Sequence, residues 1–244
     1  MERLAELLGQ AGSAVALTGA GVSVPSGIPD FRSPGTGLWE TVDPMEVAHI
    51  DVFDRDPERF WSYYRPRFQS LGDKEPNRAH EALAELERRG LIEGVITQNI
   101  DCLHRAAGSK NVIEVHGSIE TSSCRICATS FEADAVDGLF DERGVAICSA
   151  CGGAVKPDVV LFGELLPQSV MARATELAER ADLMLCVGSS LAVHPVAGLP
   201  QLTLDAGGRL AIVTKGETPY DGEAELKLEG EVDQELGALL AALG

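Results

Sequence analysis

Three observations predict an α/β protein built on a doubly wound parallel sheet, with a small cysteine-bearing module inserted into it. Short apolar runs alternate with amphipathic helical stretches along the 244 residues, the pattern of a parallel sheet covered on both faces. A glycine-rich turn, Thr18-Gly-Ala-Gly-Val-Ser, follows the first apolar run, at the strand end where such sheets bind ligands. Two Cys-x-x-Cys pairs, Cys124 with Cys127 and Cys148 with Cys151, have twenty residues between them in a stretch with few apolar side chains.

The candidate strands, in order, are Ala14–Leu17, Gly94–Thr97, Val112–Val115, Val159–Phe162, Leu183–Val187 and Leu210–Val213. Most are continuous apolar runs, as expected of strands buried on both sides. The candidate helices are Arg3–Leu8, Asn77–Arg89, Ser169–Arg180 and Val232–Leu243. In the second of these, Ala79, Ala82, Leu83 and Leu86 recur at helical spacing and Gly90 ends the pattern.

Two segments interrupt the alternation. Asp30 to about Lys74 is rich in aromatics and prolines and is expected to form helices and loops beside the sheet. About Glu120 to Val155 carries the cysteine pairs, so a metal replaces a core there. Each Cys-x-x-Cys turn aims two thiolates at one point, and two turns complete a tetrahedral all-thiolate zinc site with no open position. That metal is structural, and the chemistry must lie elsewhere; disulfides or unrelated thiols are the alternative. The expected division is residues 1–31, 75–119 and 156–244 for the sheet domain, 32–74 for the helical and loop insertion, and 120–155 for the zinc module.

The formal net charge of −18 repels phosphate backbones and argues against nucleic acid as the principal partner; it suits lysine-rich segments, or serves solubility alone. No apolar run approaches the ~20 residues of a membrane span. The start, Met1-Glu-Arg-Leu-Ala-Glu-Leu-Leu, is acidic and amphipathic, unlike the cationic start of a signal peptide. The expected location is the cytoplasm, where thiols stay reduced, with no membrane partner, and the expected state is a monomer.

Glycines after a strand let backbone N–H groups approach a pyrophosphate. A dehydrogenase fingerprint would place a third glycine where Val24 stands and an acidic residue about twenty residues on, at the end of a second strand. Asp30-Phe31-Arg32 follows instead, in a proline-containing loop. A lone Gly-x-Gly is weak evidence, but the full string from Gly19 to Arg32 is specific. With Thr97-Gln-Asn-Ile-Asp101, His116-Gly117, the cysteine pairs, Pro157-Asp-Val-Val-Leu-Phe-Gly-Glu164 and Gly188-Ser-Ser-Leu191, in that order, the chain resembles the sirtuins, NAD-dependent protein-lysine deacylases. The resemblance spans nearly the whole chain. It implies a Rossmann-like domain and a small zinc module bounding a cleft for NAD and an acyl-lysine peptide.

Read residue by residue, the segment Thr97–Asp101 follows a strand, at the carboxyl edge where open α/β sheets bind ligands. There Asn99 and Asp101 can hold the nicotinamide ribose and carboxamide, and an Asx turn is the bland alternative for Asn99 alone. His116 closes another strand at the same edge, and an unperturbed pKa near ~6.5 suits a general base. By similarity the substrate's acyl oxygen attacks the nicotinamide ribose, nicotinamide leaves, and a His116-assisted ribose hydroxyl takes the acyl group. Free lysine and O-acyl-ADP-ribose result. The expected cofactor-binding residues are Gly19, Ala20, Gly21, Ser23, Pro29, Asp30, Phe31, Arg32, Gln98, Asn99, Ile100, Asp101, Gly188, Ser189, Ser190, Thr214, Lys215 and Val232. An extended peptide is expected between Val160, Phe162, Gly163 and Glu164 on one side and Val193 on the other, gaining backbone hydrogen bonds.

Where relatives commonly carry an asparagine near the adenine ribose, this chain has Thr214-Lys215, which puts NAD affinity in question. Cys102 and Cys186 fall outside both pairs and read as small hydrophobes. His49, His80, His104 and His194 read as structural or surface groups. Tyr64 and Arg67 lie three apart, a spacing that shares a helical face; a phenol and a guanidinium there could grip the carboxylate of a succinyl- or malonyl-lysine, although Pro66 between them disturbs a helix. Simple deacetylation is the primary expectation and acidic deacylation the alternative. Protein ADP-ribosylation and a non-enzymatic zinc module are the lesser ones.

Overall fold

The structure, a computed structural model, describes residues 1–31, 33, 35 and 37–244. Strands β1 (Ala14–Thr18), β2 (Val95–Thr97), β3 (Val112–Glu114), β4 (Gly117–Cys124), β5 (Ser130–Glu132), β6 (Val155–Val159), β7 (Leu183–Val187), β8 (Arg209–Val213) and β9 (Leu226–Leu228) form two sheets. The larger has the order β3-β2-β1-β7-β8-β9 with every pairing parallel. The smaller is antiparallel, β5-β4-β6.

Alternation along the strands builds two cores, because successive side chains point to opposite faces. Ala14, Ala16, Leu183 and Leu185 pack with Leu4 and Leu7 of helix Glu2–Gln10, Leu83 and Leu86 of helix Arg78–Arg88, and Leu236 and Leu239 of helix Val232–Leu243. Val15, Leu17, Met184 and Cys186 face Ala174, Leu177 and Ala178 of helix Gln168–Arg180 on the other side. Each fully buried aliphatic side chain contributes on the order of 1.5–3 kcal/mol, so this sheet needs no ligand to hold it.

A third core joins the small sheet to helix Pro57–Gly72 through Phe60, Trp61, Val155, Cys124 and Cys148. The Trp61 indole N–H donates to the Val155 carbonyl at 3.1 Å. Most of the expected elements appear within a residue or two. The expected parallel strand Val159–Phe162 does not: the strand is β6, Val155–Val159, and it belongs to the small sheet. The residues after it bond to loops instead, Val160 N–H to the His116 carbonyl at 2.8 Å and Phe162 N–H to the Ala48 carbonyl at 2.9 Å. Helix Pro57–Gly72 runs through Pro66 rather than stopping there. The small sheet also reaches outside 120–155, since β4 starts at Gly117 and β6 ends at Val159.

Candidate active site

Strand order reverses between β1 and β7, since β1 leads to β2 and β3 on one side while β8 and β9 lie on the other. A parallel sheet opens its ligand crevice at such a switch point, outside the carboxyl ends of the strands. A cleft of about 610 Å³ lies there. At its floor Gly21 N–H donates to the Gly188 carbonyl at 2.8 Å. Gly188 has φ +59°, and a Cβ on it would sit 2.2 Å from the Val22 nitrogen, so only glycine lets the two loops touch. Backbone therefore lines the centre of the cleft, free of side chains that would keep a diphosphate away.

On the β2 and β3 side a buried polar network holds the expected chemistry-bearing groups. Ser23 donates its one hydroxyl proton to Asp101 at 2.6 Å and accepts from the Asn99 carboxamide at 3.1 Å. The second Asn99 amide proton goes to the Gly19 carbonyl at 3.2 Å, so its carbonyl oxygen is the group with capacity to spare. His80 Nδ1 accepts from the Asn77 N–H at 3.3 Å. Its Nε2 therefore carries the proton and donates to Ser23 at 3.3 Å. Beside it His104 Nε2 bonds the Thr18 hydroxyl at 2.9 Å. Burial pushes His80 down to about 4 and His104 down to about 3, so both stay neutral at pH 7.

His116 follows β3 and lines the cleft. Its Nδ1 lies 2.9 Å from the Gln98 carbonyl; a carbonyl only accepts, so Nδ1 bears the proton and Nε2 keeps its lone pair. Burial lowers its pKa and the bond to Gln98 partly offsets this. A neutral imidazole held in one tautomer is the form a general base needs. Gln98 is itself fixed, its side chain donating to Ser189 at 2.9 Å. Gly117 follows with φ +77°, and a Cβ on it would come within 1.9 Å of the Asp158 carbonyl oxygen. A glycine there lets β4 turn onto β6 directly after His116.

Most expected residues line the cleft: Gly19, Ala20, Gly21, Asp30, Phe31, Gln98, Asn99 and Ile100 with His116, then Gly188, Ser189, Ser190 and Thr214, and also Val160, Phe162, Gly163, Glu164, Val193 and Tyr64. Phe31 stacks on Trp39 with ring centroids 4.9 Å apart. Ser23 and Asp101 stand behind the wall as supports. Several others are elsewhere. Pro29 is exposed and outside the lining. Lys215 turns outward to pair with Glu231. Val232 is buried in the core with Leu236 and Leu239. Arg67 lies over the Tyr63 ring at 3.5 Å and donates to the Tyr63 carbonyl at 2.6 Å, because cation–π contact and the local carbonyl satisfy it on the helix surface. Arg32 lies outside the described residues. His80 and His104, read from sequence as structural or surface groups, are buried and support the site. His80 is signalled locally only as a capping-box partner of Asn77. His194 and Glu217 also line the cleft.

The four cysteine sulfurs all lie within 4.8 Å of one another, with Cys124 to Cys151 at 3.4 Å and Cys127 to Cys148 at 3.6 Å. Sulfurs around a tetrahedral zinc, each ~2.3 Å from the metal, stand ~3.8 Å apart. The cluster thus fits a zinc ion and leaves no ligand position open. His116 immediately precedes β4 and Cys124 is its last residue, a span of at most roughly 25 Å at strand rise, and no cysteine of the cluster lines the cleft.

A model of the Sir2 family matches residues 19–195. An NAD-dependent protein deacetylase of Sulfurisphaera tokodaii is 46% identical over 233 residues, covering 96% of this chain and 92% of that protein. Another from Thermotoga maritima is 44% identical, covering 95% of this chain and 94% of its own length. A solved structure of Sir2 with deacetylated p53 peptide and 3′-O-acetyl-ADP-ribose matches with a TM-score of 0.94 at 42% identity, over 99% of this chain and 97% of that one. One of Sir2 with p53 peptide and NAD+ matches with a TM-score of 0.90 at 42% identity, over the same shares. Matched in sequence and in fold over almost all of its length, the chain belongs to the Sir2 family.

Proposed function

We propose that the chain is an NAD-dependent protein-lysine deacetylase, removing acetyl groups from lysine side chains and releasing nicotinamide and O-acetyl-ADP-ribose. NAD, when bound, supplies the leaving nicotinamide and the ribose hydroxyl that takes the acetyl group, and one water molecule is consumed as the lysine amine departs. The observation that carries the reading is His116, whose unprotonated Nε2 serves the cleft while Gln98 holds its other nitrogen. It accepts the ribose hydroxyl proton. Asn99, locked by Ser23 and Gly19, offers its carbonyl oxygen to the nicotinamide end. Gly19–Gly21 and Gly188–Ser190 carry the diphosphate and adenosine half across the switch point. The stacked Phe31 and Trp39 shield the reacting sugar from water. The acyl-lysine peptide lies between Val160–Glu164 and Val193, and a net charge of −18 favours cationic protein segments over nucleic acid.

Nicotinamide release from the zinc-loaded protein should require both NAD and an acetylated peptide. His116→Ala should cut it about 10²–10⁴-fold, the range of a positioned general base, while zinc content and peptide binding persist. Vigorous turnover by that variant would refute the mechanism.

A second reading, a preference for succinyl- or malonyl-lysine, draws on one observation: the Tyr64 phenol and the small Ala48 both line the cleft. Burial pushes the Tyr64 phenol up, so it remains a donor. This reading needs Arg67 to leave Tyr63. Comparing acetyl- and succinyl-lysine versions of one peptide separates the two.

A further inference from the structure

Lys156 is a buried cation that the proposed chemistry does not use. It sits on β6, and its side chain is only 9% exposed. Its ammonium has three protons and three acceptors in reach: the Pro157 carbonyl at 3.0 Å, the Val159 carbonyl at 2.7 Å and Glu164 Oε2 at 3.0 Å. The same carboxylate oxygen accepts from the Leu161 N–H at 2.9 Å. Glu164 N–H in turn donates to the Leu161 carbonyl at 3.0 Å. The turn from Val159 to Glu164 is thus closed on itself around one ammonium.

The segment is also pinned from outside. Val160 N–H goes to the His116 carbonyl and Phe162 N–H to the Ala48 carbonyl, while Ile50 N–H returns to the Phe162 carbonyl at 2.9 Å. The other Glu164 oxygen faces Arg125 at 3.9 Å. Arg125 belongs to the first cysteine turn and grips Asp54 with two bonds of 3.1 and 3.0 Å. A buried ion pair is a poor way to gain stability, because desolvating two charges offsets their attraction. What it does provide is geometry, since each partner accepts only one arrangement.

We propose that Lys156 is a positioning residue for the substrate: by clamping Glu164 and the end of β6 it holds Val160–Gly163 preformed as the wall against which the acyl-lysine segment binds. Arg125 extends the clamp to the cysteine turn. The proposal rests on the deacetylase reading for its substrate, but the clamp can be measured without turnover.

The test compares Lys156→Met, Lys156→Arg and Arg125→Met in the zinc-loaded full chain. For Lys156→Met the KM for acetyl-peptide should rise about tenfold, with kcat and the KM for NAD changed no more than about twofold, since the loss falls on binding geometry. Lys156→Arg should recover most of the peptide affinity, and Arg125→Met should lose less, being half exposed. Amide exchange at Leu161 and Phe162 should quicken about tenfold in Lys156→Met while amides of β1 and β7 keep their protection. An unchanged peptide KM, or equal losses toward peptide and NAD, would overturn the proposal. Should Lys156→Met fail to fold, Lys156→Met combined with Glu164→Leu removes both charges at once; wild-type peptide affinity in that double variant would also overturn it. If the unaltered chain turned over no acylated peptide, the deacetylase reading would fail, and the exchange rates would still decide the clamp.

Discussion

In the parallel sheet every residue of β1 and β7 is buried; in the antiparallel sheet β4 buries only Ser122 and Cys124 of its eight residues. The first is held by two apolar faces packed under helices, the second by one smaller core, to which Phe53, Phe60, Trp61 and Val136 contribute, and by the four cysteines. The proposed function draws on both, because His116, the proposed base, follows β3 of the first sheet and Gly117 opens β4 of the second. The difference separates tasks: apolar burial sets the positions of Asn99 and His116, and the metal-dependent sheet carries the wall on which a peptide would lie.

Removing the metal should give the largest effect on that contrast. A strong chelator should abolish activity and the exchange protection of β4, β5 and β6 together, while β1, β7 and β8 stay protected, because the cysteine cluster ties together a sheet whose β4 buries only two of its residues. Activity surviving complete zinc loss would show that the two sheets are less coupled than the joint at Gly117 suggests. Next in size is Gly117→Ala. Its Cβ would fall 1.9 Å from the Asp158 carbonyl oxygen at φ +77°, and backbone strain with that overlap should cost about 3 kcal/mol, read as a lower urea midpoint. A neutral outcome would mean the joint yields.

Acid should then separate the cleft from the small sheet. The folded pKa values of His80 and His104 lie below the ordinary value of about 6.5, at about 4 and about 3. Below pH 6.5 the unfolded chain therefore binds more protons than the folded one. Their contribution is complete above 6.5 and drains away as the pH falls toward about 4 for His80 and about 3 for His104, so urea unfolding should show lower stability at pH 5 than at pH 7. For His116 the lowered pKa keeps the base form available in mild acid, placing the acid limb of kcat/KM below the free-histidine value. A limb above it would contradict a buried, neutral imidazole. The smallest effect is expected from Arg67→Met, with acetyl-peptide turnover changed less than about twofold because the guanidinium rests on Tyr63, an exposed contact of little worth. A selective loss of succinyl-peptide turnover would instead restore Arg67 to the cleft.

The strand ends and the cysteine pairs were legible in the sequence because their signals are local. Leu183–Val187 and Ala14–Leu17 are apolar at every position, and Cys-x-x-Cys needs only its own turn. Val160–Phe162 misled, since an apolar run does not say which sheet, or whether any sheet, receives it. Pro66 does not end its helix, which runs from Pro57 to Gly72 with Phe60 and Trp61 anchored in the third core.

By itself, then, the sequence determined the α/β class, the four-sulfur cluster and the placement of Asn99 and His116 at one edge, because strand period and ligand spacing are written along the chain. Only the tertiary structure decided that His80 and His104 lie under Ser23 and Thr18, that Lys156 closes on Glu164, and that Arg67, Lys215 and Val232 stand away from the cleft. Those outcomes depend on which groups burial deprives of water and forces to find partners far along the chain, and no local pattern records that choice.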